Sequence, residues 1–101
     1  MLYKPIIMFA FHSRYIAPLN EVDKHLDAHR AFLKTLIGKN LVCSGPQVPR
    51  IGGFILLNAA DKDEALRIMA ADPYVVNGIA KYEVIEFDLK SCADGFRELL
   101  K

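Results

Sequence analysis

Two stretches of this chain are apolar without alternation: Ile6-Ile7-Met8-Phe9-Ala10-Phe11 and Phe54-Ile55-Leu56-Leu57. Successive side chains of a strand point to opposite faces of its sheet, so a strand with one wet face alternates apolar and polar residues. Runs that do not alternate need cover on both faces. Neither run approaches the ~20 apolar residues that span a bilayer. The first is also too short for a signal-peptide core and has no small-residue cleavage site behind it. Both are expected to be central strands of a cytoplasmic domain, with something packed on each side.

The intervening segments supply the rest of an α+β fold. A polar turn region is expected over residues 12–20, which include Pro18. A first helix is then expected with Asn20 as N-cap and Asp23 three residues on, close to a capping box. Val22, Leu26, His29, Leu33 and Leu36 follow at helical spacing, and Gly38 and Asn40 supply the stop. Residues 41–44 read as a short second strand. The glycine- and proline-bearing stretch from Gly45 to Gly53 reads as a loop. Asp61 and Glu64 make a capping signal for a second helix with Ala65, Leu66, Met69 and Ala70 on its inner face, ended by Pro73. Asn77-Gly78 marks a turn. A last strand is expected over 79–89, where the alternation slips between Val84 and Ile85; the slip means either a bulge or burial on both faces. Ser91 and Asp94 are placed to cap a short C-terminal helix carrying Phe96, Leu99 and Leu100.

The order β-α-β-β-α-β is the ferredoxin-like pattern. Right-handed crossovers put both main helices on one face of a four-stranded sheet, with the first and third strands central and the short second strand at an edge. That leaves the second face of Ile, Met, Phe and Leu uncovered, a patch that monomers rarely expose. A partner sheet is the economical cover, giving a dimeric α+β barrel as a homodimer or a higher multiple of a dimer. The other available cover is the C-terminal helix folded beneath the sheet.

With 101 residues the chain is expected to form one domain, residues 1–101. Its formal net charge of +1 gives no electrostatic reason to expect nucleic acid or an anionic membrane as partner. Cys43 and Cys92 have no close pairing and no metal-ligand spacing, and are expected to remain reduced thiols.

His29 is the most informative side chain. At 100° per residue it lies within about 20° of Val22 and the middle of the apolar stripe, so it points at the sheet. A histidine there is either a satisfied structural residue or, beside an acidic partner in a cleft, a general acid or base. Asp72 precedes Pro73 and follows the second helix, where the helix dipole disfavours an anion. It is either a turn residue or a partner for His29. His25 and His29 are four apart, a chelating spacing, but Leu26-Asp27-Ala28 between them is not the zinc-protease motif and no third ligand is placed nearby, so no metal is expected. The Gly45–Gly53 segment is no phosphate-binding loop. Arg50 within it is either solvated or an orienting group for an anionic or phenolic substrate. Tyr15 and Tyr74 either line the same cleft or pack as ordinary half-buried residues.

The fragments His29-Arg30-Ala31-Phe32-Leu33, Ser44-Gly45-Pro46-Gln47-Val48-Pro49-Arg50 with Gly52-Gly53, Asp72-Pro73-Tyr74, and Tyr82-Glu83-Val84-Ile85-Glu86-Phe87 resemble, in their order and spacing, the YCII (YciI-like) family over roughly residues 3 to 88. The resemblance implies a ferredoxin-like fold in a dimeric α+β barrel, with a histidine–aspartate pair that maps onto His29 and Asp72. One branch of the family removes chloride from a chlorinated hydroxyhydroquinone, and the fold is similar to that of muconolactone isomerase. The expectation is therefore a small acid–base enzyme of lyase or isomerase type. His29 would move a proton on a small cyclic or aromatic substrate, and Asp72 would set its tautomer. Ser44, Gly45, Pro46, Arg50 and Tyr15 would bind the substrate, and no cofactor is needed. The alternative is a non-catalytic small-molecule-binding or accessory protein using the same pocket.

Overall fold

A computed structural model describes residues 5–100. The apolar run forms β1 (Ile7–Tyr15), paired antiparallel on both sides, with β3 (Gly52–Asn58) and β4 (Ala80–Asp88). The short β2 (Leu41–Pro46) adds to β3, and the sheet order is β2-β3-β1-β4. This is the ferredoxin-like arrangement, with the two most apolar strands at the centre. β1 runs on through His12, Ser13, Arg14 and Tyr15, where a turn was expected. Backbone pairing on both edges outweighs the polarity of these side chains, since His12 is held between Phe54 and Glu83 in the ladder.

The helices cover one face. Phe9, Phe11, Ile55 and Leu57 pack against Leu33 from the first helical segment, Leu36 just past its end, and Ala65 and Met69 from the second. That first segment is split into α1 (Leu19–Asp23) and α2 (Leu26–Lys34), with a break at Lys24 and His25. Pro18, not Asn20, is the N-cap residue, and its carbonyl accepts from the amides of Glu21 and Val22. Proline suits a helix start because its missing N–H costs nothing there. Asp23 plays no part in a capping box.

The second helix, α3 (Lys62–Ala70), keeps its expected cap: Asp61 accepts from the Glu64 amide at 2.8 Å, and Glu64 accepts from the Ala60 amide at 3.0 Å. A short α4 (Pro73–Val76) follows. The Asn77-Gly78 turn has Gly78 at φ 67°, in the left-handed region.

β4 shows no bulge. Its register with β1 is unbroken from Ile7↔Asp88 to Tyr15↔Ala80, so the slip at Val84 and Ile85 reflects two apolar faces. The irregularity lies instead in β2, between Leu41 and Cys43. Past it, Ser44 and not Cys43 pairs with the core residue Ile55 and shares its face.

The expected C-terminal helix is reduced to a 3-10 turn, Arg97–Leu99. Gly95 at φ 85° interrupts it, and Leu99 is exposed with no core to dock on. The second sheet face is covered only in part: Met8 and Ala10 on it are buried, whereas Phe54, Ile85 and Phe87 are 43%, 56% and 38% exposed. Cys43 and Cys92 are both exposed and unbonded. No described helix is long and apolar enough to cross a membrane.

Candidate active site

Pro73 decides the local chain path at the site. A residue before proline is driven out of the α region, and Asp72 sits at φ −61°, ψ 127°. Its carboxylate then hangs over the first turn of α4 and accepts from the Tyr74 amide at 3.0 Å. The view of Asp72 as an anion stranded at the wrong end of the second helix is thus corrected, because it is the N-cap of the next one.

Asp72 is completely buried. His29 Nδ1 lies 2.8 Å from its Oδ1, and the Tyr82 hydroxyl donates to its Oδ2. A buried carboxylate needs such donors to offset lost hydration. With the Tyr74 amide and the Tyr82 hydroxyl both donating, the carboxylate acts purely as acceptor, so His29 presents Nδ1–H to it. The lone pair of neutral His29 is then on Nε2, which has no hydrogen-bond partner among the described residues.

The His29 ring stacks on Tyr74, with centroids 3.9 Å apart and planes 4° from parallel. Burial above all, then the nearby Asp72 charge, pushes the Tyr82 phenol far up from its ordinary value, so it stays a proton donor.

His29 opens onto a cavity of about 390 Å³ between α2 and the β2–β3–β1 part of the sheet. Tyr15, Ser44, Gly45, Pro46 and Arg50 also line it. Asp72 does not; it stands behind His29. Arg50 is brought there because its loop is tied back to the sheet. The Gln47 amide donates to Gly52 O at 2.8 Å, and the Tyr15 amide to Ile51 O at 3.0 Å. The Arg50 guanidinium pairs with Asp23 at 2.6 Å and lies 5.8 Å from the centre of the Tyr15 ring. The carboxylate of Asp23 raises the Arg50 pKa and keeps the cation fixed.

His25 stands at the N-cap of α2, and no group of three metal-ligating side chains occurs among the described residues. Sequence reasoning had not placed Tyr82 on Asp72, Asp23 on Arg50, or Ser13 and Arg30 in the cavity wall. For Tyr82 a signal existed: it and Val84 share one face of β4, the face paired with Ser13 and Phe11.

The sheet order, the one-sided helices and a buried aspartate behind a cavity-facing histidine define a ferredoxin-like α+β protein with groups suited to proton transfer. The chain belongs to the YCII-related family, whose domain model matches residues 7–88. A comparison with curated proteins finds no match. Among solved structures the chain is similar to 5-chloro-2-hydroxyhydroquinone dehydrochlorinase from Burkholderia phenoliruptrix AC1100, in complex with 2,5-dihydroxybenzoquinone. The TM-score is 0.68 at 19% identity, over 84% of this chain and 94% of that one. At that identity the likeness is one of fold.

Proposed function

We propose that this protein is a small acid–base enzyme of lyase or isomerase type acting on a small cyclic or aromatic substrate. The observation that carries the reading is the 2.8 Å contact between His29 Nδ1 and the buried Asp72, on the wall of a cavity of ring-compound size. His29 takes a proton through Nε2 and returns it to a second position or to a leaving group. Asp72 holds the reactive tautomer and stabilises the imidazolium, as the buried carboxylate of a catalytic triad does, and the stacked Tyr74 ring fixes the plane of the imidazole. The Ser44 hydroxyl or the backbone near Gly45 steadies a developing oxyanion, while Pro46, Arg50 and Tyr15 orient the ring. Proton transfer of this kind needs no redox cofactor. The similar fold of an enzyme named a dehydrochlorinase supports the reaction class.

The test is a screen of hydroxylated and chlorinated aromatics and of lactones. On any substrate found, His29→Gln is expected to keep the fold and lower kcat by about 10²–10⁴-fold, and Asp72→Asn to lower it strongly by admitting the wrong tautomer. Lost stability with normal activity in both variants would make the pair structural. Saturable binding with no turnover anywhere in the screen would favour the accessory-protein reading instead.

The working unit is proposed to be a homodimer, or a multiple of one, in the cytoplasm. Its support is the exposed apolar part of the second sheet face, carried by Phe54, Ile85 and Phe87.

A further inference from the structure

We infer that the cavity takes an anionic ring compound, and that Tyr74 Oη and the Arg50 guanidinium form the subsite for its ionised oxygen; this deepens the acid–base reading and rests on it. The first observation is an orphan. Tyr74 is 3% exposed and lines the cavity, and its buried hydroxyl makes no well-formed hydrogen bond among the described residues although the Arg50 guanidinium stands beside it. Buried hydroxyls in native proteins are almost always partnered, and an exception calls for something the protein alone does not supply.

The second observation is charge. Arg30 and Arg50 line the cavity and no carboxylate does. The two acids nearby are set back from it: Asp72 behind His29, Asp23 on Arg50. Asp23 engages one terminal nitrogen of Arg50, whereas a guanidinium carries five N–H donors in a planar fork. The donors left over, with the Tyr74 hydroxyl, suit an oxygen bearing negative charge.

The third observation is the remainder of the wall. Leu26, Leu33 and Ile55 are apolar and accept the faces of a ring. A ring anchored by an ionised oxygen at Arg50 and Tyr74 would place another of its atoms near His29, whose ring stacks directly on Tyr74. Arg50 would then also offset the charge that builds on the substrate as His29 removes its proton.

The shared chemistry is an ionised oxygen on a planar ring, whether carboxylate or acidic enol. Calorimetric titration with two probe pairs separates these: 4-hydroxybenzoate against neutral 4-hydroxybenzamide, and 2,5-dihydroxybenzoquinone against hydroquinone. At least one anion should bind about tenfold or more tighter than its neutral counterpart at low salt. The preference should shrink as salt rises and fall close to unity in Arg50→Met. Arg50→Lys should keep part of it, because charge survives and the fork does not. Tyr74→Phe should weaken anion binding severalfold with little change in the thermal midpoint, since the hydroxyl it removes makes no well-formed hydrogen bond among the described residues. Equal binding of anion and neutral ring overturns the inference, as does a preference that survives Arg50→Met. The salt titration of the unsubstituted protein decides the matter even if a variant fails to fold. An anion preference without turnover would remove the acid–base reading and leave the subsite standing. Turnover of neutral rings with no anion preference would do the reverse.

Discussion

Asp72 is completely buried and serves three donors: the His29 imidazole, the Tyr74 amide and the Tyr82 hydroxyl. Tyr82→Phe would leave Oδ2 without its donor inside the protein. The expected cost is about 1–3 kcal/mol, read as a lower midpoint in urea unfolding. The variant should also alter the alkaline limb of stability. Folded Tyr82 ionises well above an unfolded tyrosine, whose pKa is about 10, chiefly because it is buried. Below about pH 10 both states keep the proton and stability is whole. As pH climbs further the unfolded chain loses its proton first, and stability falls. Tyr82→Phe should reduce that fall, measured as the difference in unfolding free energy between neutral and alkaline buffers. Tyr74, also pushed up chiefly by burial, keeps its own share. An unchanged alkaline limb would contradict this account. His29 and Asp72 were legible as candidates because each breaks a local rule: a histidine in an apolar stripe, an acid just after a helix. Tyr82 breaks none, since an aromatic on a strand is ordinary.

At the scale of elements, β1 and the loop-proximal end of β3 approach more closely than any side chain allows. A Cβ on Gly52 would meet the Ser13 carbonyl oxygen at 1.9 Å, against backbone that cannot swing aside. Gly52→Ala should therefore destabilise by about 1–3 kcal/mol or more through overpacking. Because Ser13 and Gly53 both line the cavity, ligand affinity should fall with it. A variant with normal midpoint and affinity would refute the close approach. The helices were readable where caps and stripes are local, as at Asp61 and Glu64. They were misread where proline overrode a polar cap, as at Pro18. The β2 irregularity, which turns Ser44 toward the core face, has no local mark because register is set by the neighbouring strand.

For the molecule as a whole, the question is what covers the second face of the sheet. Ile85 is 56% exposed in the single chain, so Ile85→Asp should cost a monomer little. In a sheet-to-sheet dimer it would bury an unpaired charge, a cost of several kcal/mol. Light scattering at micromolar concentration should report a dimer or its multiple for the parent chain and monomer for Ile85→Asp, with the circular dichroism spectrum kept. A monomeric parent would end the dimer proposal. Leu56→Asp, on the same face but half-buried, should either monomerise or unfold the chain.

The sequence by itself determined the order of elements, the two central strands and the family. These depend on local spacing: period-two and period-3.6 patterns, caps, turns, and fragments in a set order. It also marked His29, Asp72 and Arg50 as residues needing a reason. Only the tertiary structure decided their company. Asp72 caps α4 and takes Tyr82 from a distant strand, Asp23 goes to Arg50 instead of a helix cap, and Tyr74 is left with a buried hydroxyl. Each of these follows from which elements pack side by side. The free energy of a polar group depends on what surrounds it once water is gone, and residues far apart in the chain supply those surroundings.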